Sequence, residues 1–222
     1  MNPQIACIHT SQVFLTKEPL ILNLLREELP ACPVVHLVDD ALLSDLVKKT
    51  NSTASIQRRM NLLFEAAEAG GADVIFSLCS SLGPMVPEAA GRIRTPVVRI
   101  DEPMAAEAVA RGNRITVLAT VPTTLKPTGD LILGKANAAG KTIVLQSRLV
   151  DGAFDRLMCG LADEHDEAVY RAAEEAAPLS DCVVFAQASM ARLAPEAEQR
   201  CGKPVLSSPR AAVERIRAML HP

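Results

Sequence analysis

The 222-residue sequence contains no tryptophan and a single tyrosine, and aromatic residues make up only 3% of it. Its core therefore has to be assembled from Ala, Val, Leu and Ile, the palette of helices packed on parallel strands. There is no block of Lys and Arg, and 23 basic against 26 acidic residues leave a formal charge of −3. That balance gives no electrostatic footprint for nucleic acid or an anionic membrane. No run approaches the roughly 20 apolar residues that span a bilayer. The first ten residues have neither a basic start nor a small-residue cleavage site after an apolar stretch. No G-x-G-x-x-G follows the first apolar run and no G-x-x-x-x-G-K-[ST] occurs, so a tightly held dinucleotide or nucleoside triphosphate is not indicated. The six cysteines (Cys7, Cys32, Cys79, Cys159, Cys182 and Cys201) include no C-x-x-C and no paired histidine spacing. Spacing thus indicates neither a zinc site nor a redox dithiol, and no metal is expected. The expectation is a soluble, cytoplasmic protein in a reducing setting, with no nucleic-acid or membrane partner.

What is present is a duplication. The segment ADVIFSLCSSLGPMVPEA, from Ala72 to Ala89, aligns without a gap on SDCVVFAQASMARLAPEA, from Ser180 to Ala197. Asp73 meets Asp181, Ser81 meets Ser189, and the Pro-Glu-Ala runs at 87–89 and 195–197 coincide. The flanks repeat at nearly the same offset: Ile5 to Thr10 resembles Ile115 to Thr120, and Leu37-Val38-Asp39 resembles Leu149-Val150-Asp151. Each half reads as four short apolar strands alternating with helices. The strands are expected at 5–10, 34–38, 74–78 and 97–100, then at 115–119, 143–145, 183–186 and 205–206. Helical stretches are expected at 19–29, 55–69, 125–139, 167–177 and 210–220. Continuous apolar strands alternating with helices imply α/β architecture: two pseudo-symmetric parallel-sheet halves related by internal duplication, with a cleft between them. The boundaries are expected at residues 1–100 plus 206–222 for one domain and 101–205 for the other.

In such sheets ligands bind beyond the carboxyl ends of the strands. Those ends carry Thr10-Ser11, Asp39-Asp40, Cys79-Ser80-Ser81 and Asp101 in the first half, and Thr120, Arg148, Gln187-Ala188-Ser189 and Ser207-Ser208 in the second. Small hydroxyls dominate, with one thiol and few cations. Cys79 is the candidate reactive group. The run Cys79 to Pro84 leads into an expected helix whose unpaired N–H groups suit a carboxylate and favour a thiolate. Thr120, Thr123 and Thr124, ahead of the next helix, offer a second set of donors. Arg59 is expected to reach a substrate anion. The acidic run around His165 reads as a solvated first turn of a helix rather than a metal site. The other five cysteines read as small buried hydrophobes or helix residues.

These residues resemble the aspartate/glutamate/hydantoin racemase superfamily over essentially the whole chain. The resemblance rests on C-S-S-x-G at Cys79 to Gly83, A-T-x-x-T-T-L-x-P-T at Ala119 to Thr128, and A-Q-A-S-M at Ala186 to Met190. It implies a cofactor-independent isomerase, a small carboxylate as substrate and a homodimer. In the family's two-base racemases each half supplies one cysteine, one removing a proton from Cα and the other returning one on the opposite face. Here the repeat places Gln187 where the second thiol belongs, and a primary amide is neither a general acid nor a general base near neutral pH. The expected function is therefore racemase- or isomerase-like chemistry at the carbon next to a carboxylate through a single thiol. Decarboxylase or lyase chemistry of the same superfamily, or non-catalytic binding of a small carboxylate or phosphorylated metabolite, is the alternative. Ser80, Ser81, Thr120, Thr123 and Thr124 would hold the carboxylate, with Thr10, Ser11, Gln187 and Ser189 completing the site.

Overall fold

The apolar runs become, in the computed structural model, two separate parallel sheets of four strands; residues 2–16 and 19–221 are described. The chain divides into two compact units, the first holding the residues up to Ile100 together with those from Pro209 onward, the second Asp101–Ser208. The boundary thus falls after the last strand rather than before it. That strand, Val205–Ser207, pairs with Cys182–Phe185 and completes the second sheet.

In the first unit, β1 (Ile5–His9), β2 (Val34–Val38), β3 (Val74–Ser77) and β4 (Val97–Arg99) lie in the order β2-β1-β3-β4, all parallel. Around them run α1 (Val13–Thr16), α2 (Leu20–Glu28), α3 (Leu42–Lys48), α4 (Thr53–Ala69) and α5 (Val86–Ala90). The central strands β1 and β3 are buried at every residue. Ala6 and Ile8 pack against Leu42 of α3 and Ile56, Met60 and Phe64 of α4. Strand alternation then turns Cys7 and His9 to the opposite face. The edge strand β2 leaves Val35, His36 and Val38 exposed and buries none of its residues fully. Helix α4 starts where Ser52 accepts a hydrogen bond from the Ser55 amide at 3.2 Å, a cap worth about 1 kcal/mol.

The second unit repeats the order as β6-β5-β7-β8, with β5 (Arg114–Ala119), β6 (Val144–Leu149), β7 (Cys182–Phe185) and β8 (Val205–Ser207). Its helices are α6 (Glu102–Arg111), α7 (Pro122–Ala138), α8 (Ala153–Met158), α9 (Ala162–Ala176) and α10 (Ala194–Cys201), while α11 (Ser208–Leu220) returns to the first unit. The continuous apolar character of β7 has a direct reading. Cys182, Val184 and Ala186 face the layer holding Met104, Ala108 and Ile132, whereas Val183 and Phe185 face the layer holding Val169, Ala173 and Ala197. A strand covered on both faces has no polar alternation to show.

The duplication extends to a structural device at the start of each sheet. Asp73, just before β3, accepts from the Gln4 amide at 2.7 Å ahead of β1, and Asp181, just before β7, accepts from the Asn113 and Arg114 amides at 2.9 Å each. Each carboxylate thereby satisfies backbone donors where the central strand begins. Gly112 is required beside the second of these, since a Cβ there would stand 2.3 Å from the Asp181 Cβ.

Candidate active site

Cys79 stands two residues beyond β3, after the Leu78 amide has extended the ladder by donating to the Ile8 carbonyl at 3.2 Å. It is half-buried and packs beside the α4 layer, with Ser80 buried and Ser81 half-buried behind it. The helix expected after Cys79 begins only beyond the loop and is short. A turn closed by Gly83 N–H to Ser80 C=O at 3.1 Å leads into a 3-10 turn at Gly83–Met85, and α5 that follows is only five residues long. The Cys79–Gly83 segment is thus a tight strand-end loop rather than the mouth of a helix.

A cation that the sequence reading passed over lies on this loop. Arg99 ends β4 in register with Ser77, and a Cβ built on Gly83 would fall 2.1 Å from the Arg99 Nη2. A larger residue at 83 would displace the guanidinium from this position. The signal was present as the glycine of C-S-S-x-G, but which arginine it accommodates is a matter of strand register.

The remaining candidates of the first unit divide. Thr10 is buried after β1 and accepts at its carbonyl from the Leu43 amide at 3.2 Å, with half-buried Ser11 beside it. Arg59, expected to meet a substrate anion, is instead paired internally. Its Nε donates to Asp39 Oδ2 at 2.7 Å, its Nη2 also reaches Asp39, and its Nη1 donates to Asp45 at 2.6 Å. The depression it lines, about 320 Å³, also holds Asp39 and Asp40, a charge balance that repels anions. Arg59 therefore ties α4 to the end of β2 and to α3.

In the second unit the expected donor set is assembled but already engaged. Helix α7 begins at Pro122, three residues earlier than expected, because proline at the first helical position needs no partner for its missing N–H. Thr123 and Thr124 consequently sit inside its first turn, and the Thr124 hydroxyl donates to the Val121 carbonyl at 2.9 Å. Gln187, immediately after Ala186 at the end of β7, sends its Oε1 to the same place. It accepts from the Thr120 amide at 2.6 Å, the Val121 amide at 3.0 Å and the Thr120 hydroxyl at 3.2 Å. The two backbone N–H groups fix the orientation of this side-chain amide, since its NH2 group turned toward them would meet only donors. Ser189 follows, half-buried, in the 3-10 turn Ala188–Leu193. Arg148 does not end its strand, because β6 continues to Leu149.

His165 is not solvated. It is buried on α9, with Nδ1 2.7 Å from Asp166 Oδ1, and Asp166 in turn accepts two hydrogen bonds of 2.6 Å from Arg192. Burial alone would raise the Asp166 pKa, but the hydrogen bonds from Arg192 and His165 outweigh it and hold the carboxyl below its ordinary range. Among the other thiols, Cys7 and Cys182 are fully buried in β1 and β7, and burial pushes them up to about 12 and about 11. Among the described residues no helix is long and apolar enough to cross a membrane.

Two duplicated α/β units of 2-1-3-4 strand order, with a thiol at one third-strand end, define a class of protein that comparison with known proteins identifies. The chain belongs to the Asp/Glu/hydantoin racemase family, whose model matches residues 19–216. Comparison with curated proteins finds no match. Among solved structures, the aspartate racemase of Picrophilus torridus is similar with a TM-score of 0.69 at 13% identity, covering 99% of this chain and 94% of that one. The glutamate racemase of Aquifex pyrophilus has a TM-score of 0.66 at 19% identity, covering 97% and 83%. A mutant of arylmalonate decarboxylase in a sulfate-associated form has a TM-score of 0.65 at 17% identity, covering 98% and 93%. At these identities the likeness carries the fold.

Proposed function

We propose that this chain is a cofactor-independent enzyme of racemase or decarboxylase type that acts at the carbon next to a carboxylate, with Cys79 as its only proton-transferring thiol. The observation that carries the reading is an asymmetry between equivalent strand ends. After β3 stands a half-buried thiol with Ser80, Ser81 and the Arg99 guanidinium around its loop. After β7 the equivalent Gln187 is fixed by three hydrogen bonds and carries no exchangeable acid.

One thiol completes a reaction that needs a proton on one face. In decarboxylation of a substituted malonate-type acid, the bond from Cα to one carboxylate breaks and carbon dioxide leaves. The electron pair passes to Cα and spreads onto the remaining carboxylate as an enediolate. Cys79 then gives its S–H proton to Cα, and solvent reprotonates the thiolate. Proton exchange at Cα of a simple carboxylate uses the same group in both directions. A homodimer binding a small carboxylate is the assembly this reading expects, checked by light scattering.

The second reading, a non-catalytic carboxylate-binding protein, is favoured by one feature: the Thr120 and Val121 amides, a natural anion cradle at the start of α7, already hold the Gln187 oxygen. Solvent-deuterium exchange and carbon dioxide release, measured over a panel of small mono- and dicarboxylic acids, separate the two. Turnover that disappears in Cys79→Ser supports the enzyme. Binding without exchange or decarboxylation of any acid supports the alternative.

A further inference from the structure

The first unit holds a second cluster of donor atoms that the chemistry proposed for Cys79 does not use. Cys7 and His9 are two residues apart on β1 and share one face of the sheet. His36 on the edge strand β2 is in register with Cys7. One donor atom from each of the three lies within 4.8 Å of the others. The two imidazole rings are 5.1 Å apart between centroids, and His9 Nε2 is 3.0 Å from His36 Nδ1. One ring donates to the other when exactly one of these two facing nitrogens carries its proton. His9 Nδ1 is nevertheless buried with no partner among the described residues, in a side chain only 1% exposed. A ring nitrogen left in that state calls for a ligand or an explanation.

The fold itself does not demand these residues. The equivalent strand pair of the second unit, β5 with β6, has Val117 where the first has Cys7, Ala119 where it has His9, and Ser147 in register with Val117. The same sheet is built there from apolar side chains and a hydroxyl. A thiol and two imidazoles converging across two strands are thus an addition to the first unit.

We propose that Cys7, His9 and His36 bind a single thiophilic divalent ion of the zinc class. Thiolate and imidazole donors select such an ion over magnesium or calcium, which prefer oxygen. Bonds of ordinary length to sulfur and nitrogen would set the donors roughly 3 to 4 Å apart, so no pair has to close by more than about 1 Å. His36, exposed on the edge strand, supplies that movement. As the sulfur–metal bond forms, the Cys7 thiol loses its proton to solvent, while both imidazoles bind through neutral nitrogens. One proton is released for each ion bound. The site lies on the sheet face opposite the α4 layer against which Cys79 packs, so it stands independently of the active-site reading.

The test is a cobalt(II) titration of the full chain in which Cys159 and Cys201 have been replaced by Ser to remove the more accessible thiols. Expected are one cobalt per chain, a thiolate-to-cobalt charge-transfer band with tetrahedral d–d absorption, and displacement by equimolar zinc. His36→Ala, at an exposed edge, should weaken affinity by roughly tenfold or more. Cys7→Ser should abolish the charge-transfer band, and Cys79→Ser should leave it intact. Where Cys7→Ser fails to fold, His36→Ala and His36→Gln decide. A missing band, a band that survives Cys7→Ser or is lost in Cys79→Ser, or wild-type affinity in His36→Ala would overturn the assignment.

Discussion

Burial sorts the six thiols by reactivity, because only the thiolate is nucleophilic and an apolar surround opposes its formation. Cys7 and Cys182 are fully buried and pushed up to about 12 and about 11, Cys32 is buried, and Cys79, Cys159 and Cys201 retain access to solvent. Iodoacetamide near pH 8 should therefore label Cys79, Cys159 and Cys201 in the folded protein, and Cys7 and Cys182 only after unfolding. Peptide mass spectrometry reads this directly, and folded-state labelling of Cys7 as fast as Cys159 would contradict it. Gln187 gives a second residue-scale prediction. Its Oε1 accepts from two backbone amides at the start of α7. Gln187→Ala should lower stability in urea by about 1 kcal/mol, while Gln187→Glu, a carboxylate before the same donors, should retain or improve it. A glutamate variant less stable than the alanine variant would refute that account of the contact. The residues at these strand ends could be read from sequence because small hydroxyls and one thiol gather after apolar runs. For Arg59, sequence shows a cation on a helix but not the carboxylates of Asp39 and Asp45 with which it pairs in the fold. Arg99 was missed in the opposite sense, since its approach to Gly83 depends on β3–β4 register.

At the scale of elements, the strands were legible where both faces are covered and less so at the edges. β7 reads as an unbroken apolar run, whereas β6 is expected only to residue 145 because Gln146, Ser147 and Arg148 are polar and exposed on an edge strand. The metal-compatible cluster was invisible for a related reason: its donors come from neighbouring strands 27 residues apart in the chain, not from a short motif. The aspartates that open the third strands were visible in the repeat alignment, and their purpose appears only in the hydrogen bonds. Asp181 is held down to about 2 from its ordinary 3.8, first by the Arg114 side chain and then by the Arg114 and Asn113 amides. A folded-state value below the unfolded one means that the charged carboxylate favours the native state. That contribution is fully present above about pH 3.8 and is lost as pH falls through about 2. Asp181→Asn should flatten the acid limb of the stability profile within that window, as followed by circular dichroism. An acid limb as steep as that of the wild type would show that Asp181 is not the group titrating.

For the whole molecule, the duplication was the strongest signal in the sequence. It fixed two units of like topology, and the structure placed their boundary three residues later than expected because β8 closes the second sheet. The family follows from the match over residues 19–216. Its two third-strand ends carry unequal side chains, a thiol at Cys79 and a fixed amide at Gln187, and the proposed single-thiol chemistry rests on that difference. The most direct test of that central claim is deuterium incorporation at Cα in heavy water, measured with carbon dioxide release over small mono- and dicarboxylic acids, for the wild type and Cys79→Ser. The account predicts turnover of at least one acid, with deuterium delivered to a single face, falling by roughly 10² to 10⁴ in the variant. Undiminished turnover in Cys79→Ser, or binding of acids without exchange or decarboxylation of any, would contradict it.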